Sequence, residues 1–387
     1  MNTVARSLLA AAVSAVLTAG APVVLAASQP ATAPARHDSA EFDSRAGTIA
    51  PYVARFGRQR PVIAVIGENS GTELTDYVIP YGVLVQSRVA ETIAVATRSG
   101  PMTMRPALRL QPQASIAEFD ARFPDGADYV IVPAVVKRSD PLLLAWIAAQ
   151  AARGGTIVSI CDGALVVANS GLLKGRRATA HWATQGLRAK SYPETHWVKN
   201  VRYIGDGNIV SSAGISASLP VSIALVEAIA GRERASALAA ELGVADWGPR
   251  HNSDIFLPRL GVNLMALLRT TYSNARLHAR QSIGVPVGPG VDEIALAFTA
   301  DAYSRTGRSD AYALSASGLP LQSRHGLTIL PDRIIGGANP VGRTLPAFDA
   351  TPSARALDTA LAGIAHSYGR STAYGVAIDF EYPDFRK

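Results

Sequence analysis

The chain contains one cysteine, Cys161, among 387 residues, and only 6% of its residues are aromatic. A single cysteine cannot form a disulfide within its own chain, so we expect a free thiol even in an oxidising compartment. The seven histidines are scattered, and their spacing with this cysteine and the carboxylates matches no metal-ligand pattern. We therefore expect no metal and no other cofactor.

The basic residues also lack a pattern, although they are in excess. Lys and Arg number 37 against 30 for Asp and Glu, and the isoelectric point is about 9.6. The closest cluster is Lys174, Arg176 and Arg177, and no basic stripe interleaved with aromatic residues accompanies it. We therefore expect no nucleic-acid partner, and the charge predicts only mild attraction to anionic surfaces.

Residues 1–27 have the pattern of an export signal, in which Arg6 precedes the uncharged apolar run Leu8–Leu25. Cleavage is expected near Ala27, which would release a periplasmic protein. The run is also long enough for an uncleaved membrane anchor, and a membrane partner is expected only in that case. Residues 28–60, rich in Ala, Pro, Ser and charge, are expected to form a linker.

From residue 61 onward, short apolar runs alternate with helical patterns. Strands are predicted at 61–66, 92–97, 128–133 and 156–160, and helices at 115–122, 141–153, 163–173 and 216–230. Continuous apolar runs are typical of strands buried on both faces of a parallel sheet, and their alternation with helices predicts an α/β, doubly wound fold. The functional crevice of such a fold lies at the carboxyl ends of the strands.

Cys161 lies between a strand that ends at Ile160 and a helix that begins at Gly163. The segment from Ser159 to Gly163 has the small-x-nucleophile-x-Gly pattern of a nucleophile elbow, a sharp turn that presents its central side chain at a helix N-terminus. A helix N-terminus lowers the pKa of a thiol, so the pattern favours a reactive thiolate. The alternative is a buried cysteine that acts as a small hydrophobic residue.

Residues 246–387 are expected to form a C-terminal extension that contains a weak internal repeat. Residues 312–331 echo residues 93–112, with a Ser-Gly pair and a final proline in nearly equivalent positions. The second copy has no cysteine and no elbow, so we expect a partial, degenerate α/β half-repeat followed by a helix at 354–368.

Several short motifs resemble those of the ThiJ/PfpI family, which has the class I glutamine amidotransferase-like fold. They are Asp76 four residues before Pro80, the helix that contains Trp146, the elbow around Cys161, Ala178-Thr179-Ala180-His181-Trp182, and Ser212-Ala213-Gly214. The resemblance covers residues 61–245 and is strongest to the amidase-like domains of AraC-type regulators. It implies a flavodoxin-like fold and a homodimer.

The resemblance also implies roles for three side chains. Cys161 would be the nucleophile, Asp76 would lie beside its sulfur and pass a proton, and His181 would act as a base or thiolate partner. Asp76 could instead be a helix N-cap, and His181 could be a structural histidine packed on Trp182.

A departure from the family affects the expected oxyanion hole. Family members carry a Gly-Gly pair after the third central strand, where this chain reads Pro133-Ala134-Val135. The backbone N–H groups of Ala134, Val135, Asp162 and Gly163 are therefore the candidates for holding developing negative charge.

Two functions are compatible with these residues. The first is an exported thiol enzyme that acts on a small electrophile, either as a hydratase, like the isonitrile hydratases of the family, or as an amide-type hydrolase. The second is a non-catalytic module that binds or senses a small molecule, as the amidase-like domains of AraC-type regulators do. Oxidative sensing through Cys161 is a third function that needs only an exposed thiol of low pKa.

Overall fold

The computed structural model describes residues 48–385, and its largest sheet has seven strands. From edge to edge these are β11 (Tyr203–Asp206), β12 (Ile209–Ser212), β8 (Thr156–Ser159), β7 (Tyr129–Val132), β1 (Val62–Gly67), β3 (Glu91–Ala96) and β6 (Ala114–Ser115). All neighbouring strands are parallel except β11 and β12, which form an antiparallel pair. The central strands are buried along their length, as their continuous apolar sequences predict.

Helices cover both faces of this sheet. They are α1 (Leu74–Ser87), α2 (Ile116–Arg122), α3 (Pro141–Ala152), α4 (Gly163–Asn169), α5 (Gln185–Ser191) and α6 (Ser218–Leu242). One hydrophobic core lies under α1 and α6, and the other lies under α2, α3 and α4. The doubly wound, flavodoxin-like α/β fold is therefore confirmed.

A second, smaller parallel sheet follows in the C-terminal part. Its strands are β17 (Arg333–Ile334), β14 (Ser309–Ser315), β13 (Gln281–Pro286) and β18 (Arg343–Thr344). Helix α9 (Glu293–Ser304) connects β13 to β14. This strand-helix-strand unit confirms the expected half-repeat, and we call residues 281–385 the C-terminal copy.

The repeat is longer in the structure than the sequence echo indicates. β13 and β17 begin 219 residues after β1 and β6 (281 − 62 and 333 − 114), and α9 begins 219 residues after α1 (293 − 74). The same interval separates β5 (Arg109–Gln111) from β16 (Thr328–Leu330), which pair with each other. These two strands join β2 (Thr72–Glu73), β4 (Met102–Arg105) and β15 (Leu321–Gln322) in one mixed sheet.

The last helices of the two copies also correspond. Helix α6 bends at Gly231, where φ is 85°, and α10 (Ala356–Tyr368) is separated from α11 (Arg370–Asp379) by Gly369, where φ is 87°. Between β6 and α6 the first domain carries β7, β8 and the elbow. The C-terminal copy passes from β17, the equivalent of β6, to α10 with only the short strand β18 between them. The C-terminal copy therefore repeats the two ends of the first domain without its middle.

The segment that joins the copies is largely irregular. It contains a 3₁₀ turn (Ser253–Phe256), α7 (Leu264–Leu268), a π-helical turn (Arg269–Ser273) and α8 (Asn274–Leu277). Phe256 and Leu267 pack in a small core with Trp182. A two-stranded pair, β9 (Arg177–Ala178) and β10 (His196–Trp197), lies outside the main sheet.

One helix among residues 48–385, Ile215–Leu242, has the length and composition of a membrane-spanning segment. More than half of it is buried inside the protein, and a buried core helix has the same properties. The expected export signal and most of the expected linker lie outside the described residues. Residues 48–60 form no helix or strand, but Arg55 and Arg58 both bind the carboxylate of Asp128.

Candidate active site

The elbow places Cys161 between β8 and α4, at the carboxyl edge of the main sheet. Its φ is 55°, a left-handed conformation that is strained for a non-glycine residue and is typical of functional turns. A Cβ atom at Gly163 would overlap the carbonyl oxygen of Val132, so only glycine fits there. The Cys161 N–H donates to Ser212 Oγ at 3.3 Å, which fixes the elbow against β12.

The surroundings of the thiol are acidic. Cys161 is 5% exposed, and its pKa lies well above the usual range because burial penalises the thiolate and because Asp76, Asp162 and Glu73 add negative charge. The N–H of Asp162 favours the thiolate but does not outweigh these effects. At neutral pH Cys161 is therefore a neutral thiol, in contrast to the thiolate that a helix N-terminus alone predicts.

Asp76 lies in the first turn of α1, and it is Glu73, not Asp76, that caps this helix. Oδ2 of Asp76 accepts the Ala134 N–H at 3.1 Å, whereas its buried Oδ1 has no hydrogen-bond partner in the described chain. Burial raises the pKa of Asp76 to about 8. The side chain is therefore a neutral carboxylic acid at pH 7 whose unpartnered oxygen can carry a proton, and it lies close enough to Cys161 for its charge to affect the pKa of the thiol.

The expected oxyanion donors are only partly free. The N–H of Ala134 is bonded to Asp76, and that of Gly163 donates to the carbonyl oxygen of Ile160 at 2.8 Å. Val135 forms an isolated β-bridge with Thr72, and the N–H of Asp162 is directed at the Cys161 sulfur. Ala134 and Gly163 therefore position other groups in this structure, which leaves Val135 and Asp162 as the donors to consider.

His181 uses both of its ring nitrogens in structural bonds. Nε2 donates to the carbonyl oxygen of Asp379 at 2.9 Å, and Nδ1 accepts the Ala183 N–H at 3.3 Å. The ring also packs on Trp182, with 5.4 Å between the ring centres. This geometry favours the structural alternative for His181, and its role as a base stays a prediction.

Two features of the site are not visible in the sequence patterns. Arg188, on α5, is 5% exposed and stacks on Trp197, and its Nε and Nη1 atoms have no hydrogen-bond partner within residues 48–385. Burial lowers the pKa of Arg188, while the nearby charges of Asp162, Glu381 and Cys161 raise it. Arg188 follows Cys161 by 27 positions (188 − 161) in an ordinary amphipathic helix, so no motif singles it out.

The second missed feature is that the C-terminal copy reaches the site. Arg305, which follows the last residue of α9, binds Glu73 Oε1 through Nη2 at 2.7 Å and Asp379 Oδ2 through Nη1 at 2.8 Å, and it also pairs with Asp301. Glu381 accepts the Gly214 N–H at 2.7 Å. Only a longer match of the two copies along the sequence could have pointed to these residues.

No group of three or more His, Cys, Asp or Glu side chains within residues 48–385 is arranged to hold a metal. A cavity of about 510 Å³ lies in the C-terminal copy and is lined by residues such as Arg308, Arg343 and Tyr368, none of which belongs to the Cys161 site.

Comparisons with known proteins found a matching family model and several similar proteins. Residues 62–228 match the sequence model of the DJ-1/PfpI family. Isonitrile hydratase of Pseudomonas putida is 29% identical over 176 residues, which are 44% of this chain and 73% of that protein. The HTH-type transcriptional regulator CdhR of Pseudomonas aeruginosa is 36% identical over 86 residues, which are 22% of this chain and 25% of that protein. The crystal structure of Drosophila melanogaster DJ-1beta is 21% identical, has a TM-score of 0.44, and covers 48% of this chain and 100% of its own.

Proposed function

From the premise that residues 62–228 form a DJ-1/PfpI family domain, we propose that this protein is a thiol-dependent hydratase that acts on a small electrophile such as an isonitrile. Cys161 is the nucleophile and Asp76 is the acid. The similarity to isonitrile hydratase, which spans 73% of that protein, supports this choice over an amide-type hydrolase.

The observation that carries the proposal is the state of Asp76. Its pKa of about 8 keeps the carboxyl protonated at neutral pH, and Oδ1 has no competing partner. A general acid is most effective when its pKa lies near the working pH. A neutral thiol beside a neutral acid is suited to addition across a multiple bond, in which one proton is given and another is taken up.

For an isonitrile, the steps balance as follows. The sulfur forms a bond to the terminal carbon, Asp76 protonates that carbon, and the thiol proton passes to Asp76, which gives an S-linked formimidate. Water then adds to the same carbon. The carbon–sulfur bond breaks, the sulfur regains a proton, and the N-substituted formamide leaves. The sum is one isonitrile and one water converted to one formamide, with no redox change.

The backbone contributes to this chemistry at two points. Ala134 holds Oδ2 of Asp76, which leaves Oδ1 as the oxygen available for proton transfer. The N–H groups of Asp162 and Val135 are proposed to stabilise charge that develops on the substrate. His181 is proposed to position the segment before Trp182, because both of its ring nitrogens are bonded.

Formamide production from a simple alkyl isonitrile tests the proposal. We expect turnover by the wild-type protein and a loss of at least about 100-fold in Cys161→Ser and in Asp76→Asn, because each removes a group that moves a proton or forms a bond. Asp125→Asn, which alters an exposed loop, serves as the matched control and should keep full activity. Equal rates in Asp76→Asn and the wild type would contradict the role of the acid.

A second candidate function is a module that binds or senses a small molecule. The raised pKa of the Cys161 thiol and the occupied N–H groups of Ala134 and Gly163 favour it. The similarity to the regulator CdhR, over a quarter of that protein, is in line with it. In that case isonitriles, nitriles or amides would raise the melting temperature of the protein without being consumed.

We also propose that the protein is exported and that residues 1–27 are its signal. The support is the sequence pattern of this segment. Expression in a Gram-negative bacterium followed by N-terminal sequencing of the periplasmic fraction should give a chain that begins near Ala27. A chain retained in the membrane with Met1 in place would favour the anchor.

A further inference from the structure

We propose that the C-terminal copy takes the place of a second subunit, and that it completes the Cys161 site by supplying Glu381 and Arg305 as positioning residues. The inference rests on the proposed function only for the chemistry of the site. The contacts between the copies stand independently of it.

The two copies are related like the halves of a symmetric dimer. In the antiparallel pair of β5 and β16, Leu110 faces Ile329, and these residues are themselves equivalent, since 329 − 110 is again 219. The flanking pairs are Arg109 with Leu330 and Gln111 with Thr328. Thr328 is the equivalent of Arg109 and Leu330 is the equivalent of Gln111, so each pair becomes the other when the two copies are interchanged. A pseudo-twofold axis therefore passes between Leu110 and Ile329, as in an isologous interface.

The helix contacts repeat this symmetry. The backbone of Gly82 on α1 packs so closely on α9 that a Cβ atom would overlap Ile294. Asp301 on α9 is the equivalent of Gly82, and Thr75 on α1 is the equivalent of Ile294. These two residues are also in contact, because the Thr75 hydroxyl donates to Asp301 Oδ2 at 3.0 Å. The face of α1 that would meet a second chain is therefore covered by α9.

The symmetry breaks at the position of Glu381, where the first domain has Gly243. Gly243 ends α6 with a φ of 77°, and Glu381 follows α11 with a φ of 56°. Helices commonly end in this left-handed conformation on glycine, and other residues pay about 1 kcal/mol or more to adopt it. A strained, fully buried glutamate at a glycine position indicates that its side chain has a specific task.

The carboxylate of Glu381 binds the loops beside the elbow. Oε2 accepts the N–H groups of Gly214 at 2.7 Å and Trp182 at 3.4 Å, and Oε1 accepts from His251 Nε2 at 3.0 Å and from the Ser253 hydroxyl. Burial opposes the charge, but these donors and the nearby histidines hold the pKa of Glu381 below its usual range. Gly214 follows Ser212, the residue that accepts the Cys161 N–H, by two positions.

Arg305 supports the opposite side of the site. It binds Glu73, the residue that caps α1 and so positions Asp76, and it binds Asp379, whose carbonyl oxygen holds His181. The C-terminal copy thus holds His181 directly, through Asp379, and Asp76 indirectly, through the ion pair of Arg305 with Glu73. The site exists once per chain, because this copy lacks the elbow.

Alkylation of Cys161 by iodoacetamide across pH tests the inference without any need for turnover. Glu381→Gln removes the charge and one of the two acceptor oxygens, and Glu381→Gly removes the whole side chain. Both changes should loosen the Trp182 and Gly214 segments and expose the thiol. We expect alkylation to be at least fivefold faster, with the midpoint of its pH profile shifted downward. Arg305→Gln, which releases the Glu73 cap, should also change the rate at least fivefold.

Asp384→Asn is the matched control, since Asp384 lies exposed near Glu381 in the same terminal segment. Melting temperature and circular dichroism identify any variant that fails to fold, and Glu381→Gln, which keeps the side-chain volume, then decides the result. Rates and midpoints within twofold of the wild type in folded Glu381 and Arg305 variants would overturn the inference. Altered alkylation in a protein that hydrates no isonitrile would support the inference while removing the proposed function.

Discussion

At the scale of single residues, the reactivity of Cys161 depends on the balance between nearby charges of opposite sign. Burial, Asp76, Asp162 and Glu73 raise the pKa of the thiol, and the acidic neighbours outnumber the buried guanidinium of Arg188. A neutral thiol is less nucleophilic than a thiolate, so the proposed reaction requires the substrate and the acid to be in place before the sulfur attacks. Asp162, the residue after Cys161, thus contributes to the raised pKa of the thiol.

Substitution of Asp162 and substitution of Arg188 should move the pKa of the Cys161 thiol in opposite directions. Asp162→Asn removes a negative charge but keeps an acceptor for the Thr184 hydroxyl, so the midpoint of the Cys161 alkylation profile should fall by about one pH unit. Arg188→Gln removes the positive charge, so the midpoint should rise. Midpoints that do not move, or that both move the same way, would contradict this electrostatic account.

At the scale of elements, the elbow depends on close approach of α4 to β7. The backbone of Gly163 passes so near the carbonyl of Val132 that no side chain fits between them. The sequence pattern indicates this glycine correctly, because a turn from a buried strand directly into a helix requires it.

Gly163→Ala should therefore destabilise the protein by about 3 kcal/mol, the upper range for overpacking a buried contact. Gly186→Ala is the matched control, since Gly186 lies in α5 with open space around it, and alanine there should be neutral or stabilising by up to about 1 kcal/mol. Urea unfolding of both variants measures the difference. Equal stabilities would show that the close approach does not exist in solution.

The sequence is sufficient for the elements that depend on local patterns. The central strands are evident because continuous apolar runs are buried on both faces, and Pro141 marks the start of α3. The helix predicted at 216–230 is longer in the structure, where α6 bends at Gly231 and continues to Leu242. The roles of Ala134 and Arg305 could not be predicted, because each depends on a contact between elements far apart in the chain. The resemblance places Asp76 beside the Cys161 sulfur, and burial of the thiol is one of the two alternatives that the sequence leaves open. The charge of Glu73 near the thiol could not be predicted, because it depends on the packing of another element.

At the scale of the whole molecule, a degenerate copy of the fold lies against the domain that carries the cysteine. Its sequence signal is limited to residues 93–112 and 312–331, because strand residues such as those of β1 and β13 have diverged while their backbone positions remain equivalent. The copy covers α1 and the edge of β5, the surfaces through which a symmetric partner would otherwise pair. We infer that these contacts within one chain take the place of the expected homodimer.

We expect the purified protein to have the mass of a single chain, 40.5 kDa before any processing, because these surfaces are already covered. Size-exclusion chromatography with light scattering measures this directly, and dilution over a hundredfold range should not change the mass. A stable dimer whose chains can be cross-linked through α1 or β5 would contradict this expectation.

The proposed hydration requires Asp76 in its protonated form, and the pH profile of kcat/KM for isonitrile hydration tests this requirement. Burial raises the pKa of Asp76 to about 8, so the acid is present below that pH and is lost above it. We predict a constant kcat/KM from about pH 6 to pH 7.5 and a tenfold fall per pH unit above about 8. A kcat/KM that rises through this range, in step with thiolate formation, would contradict the proposed acid.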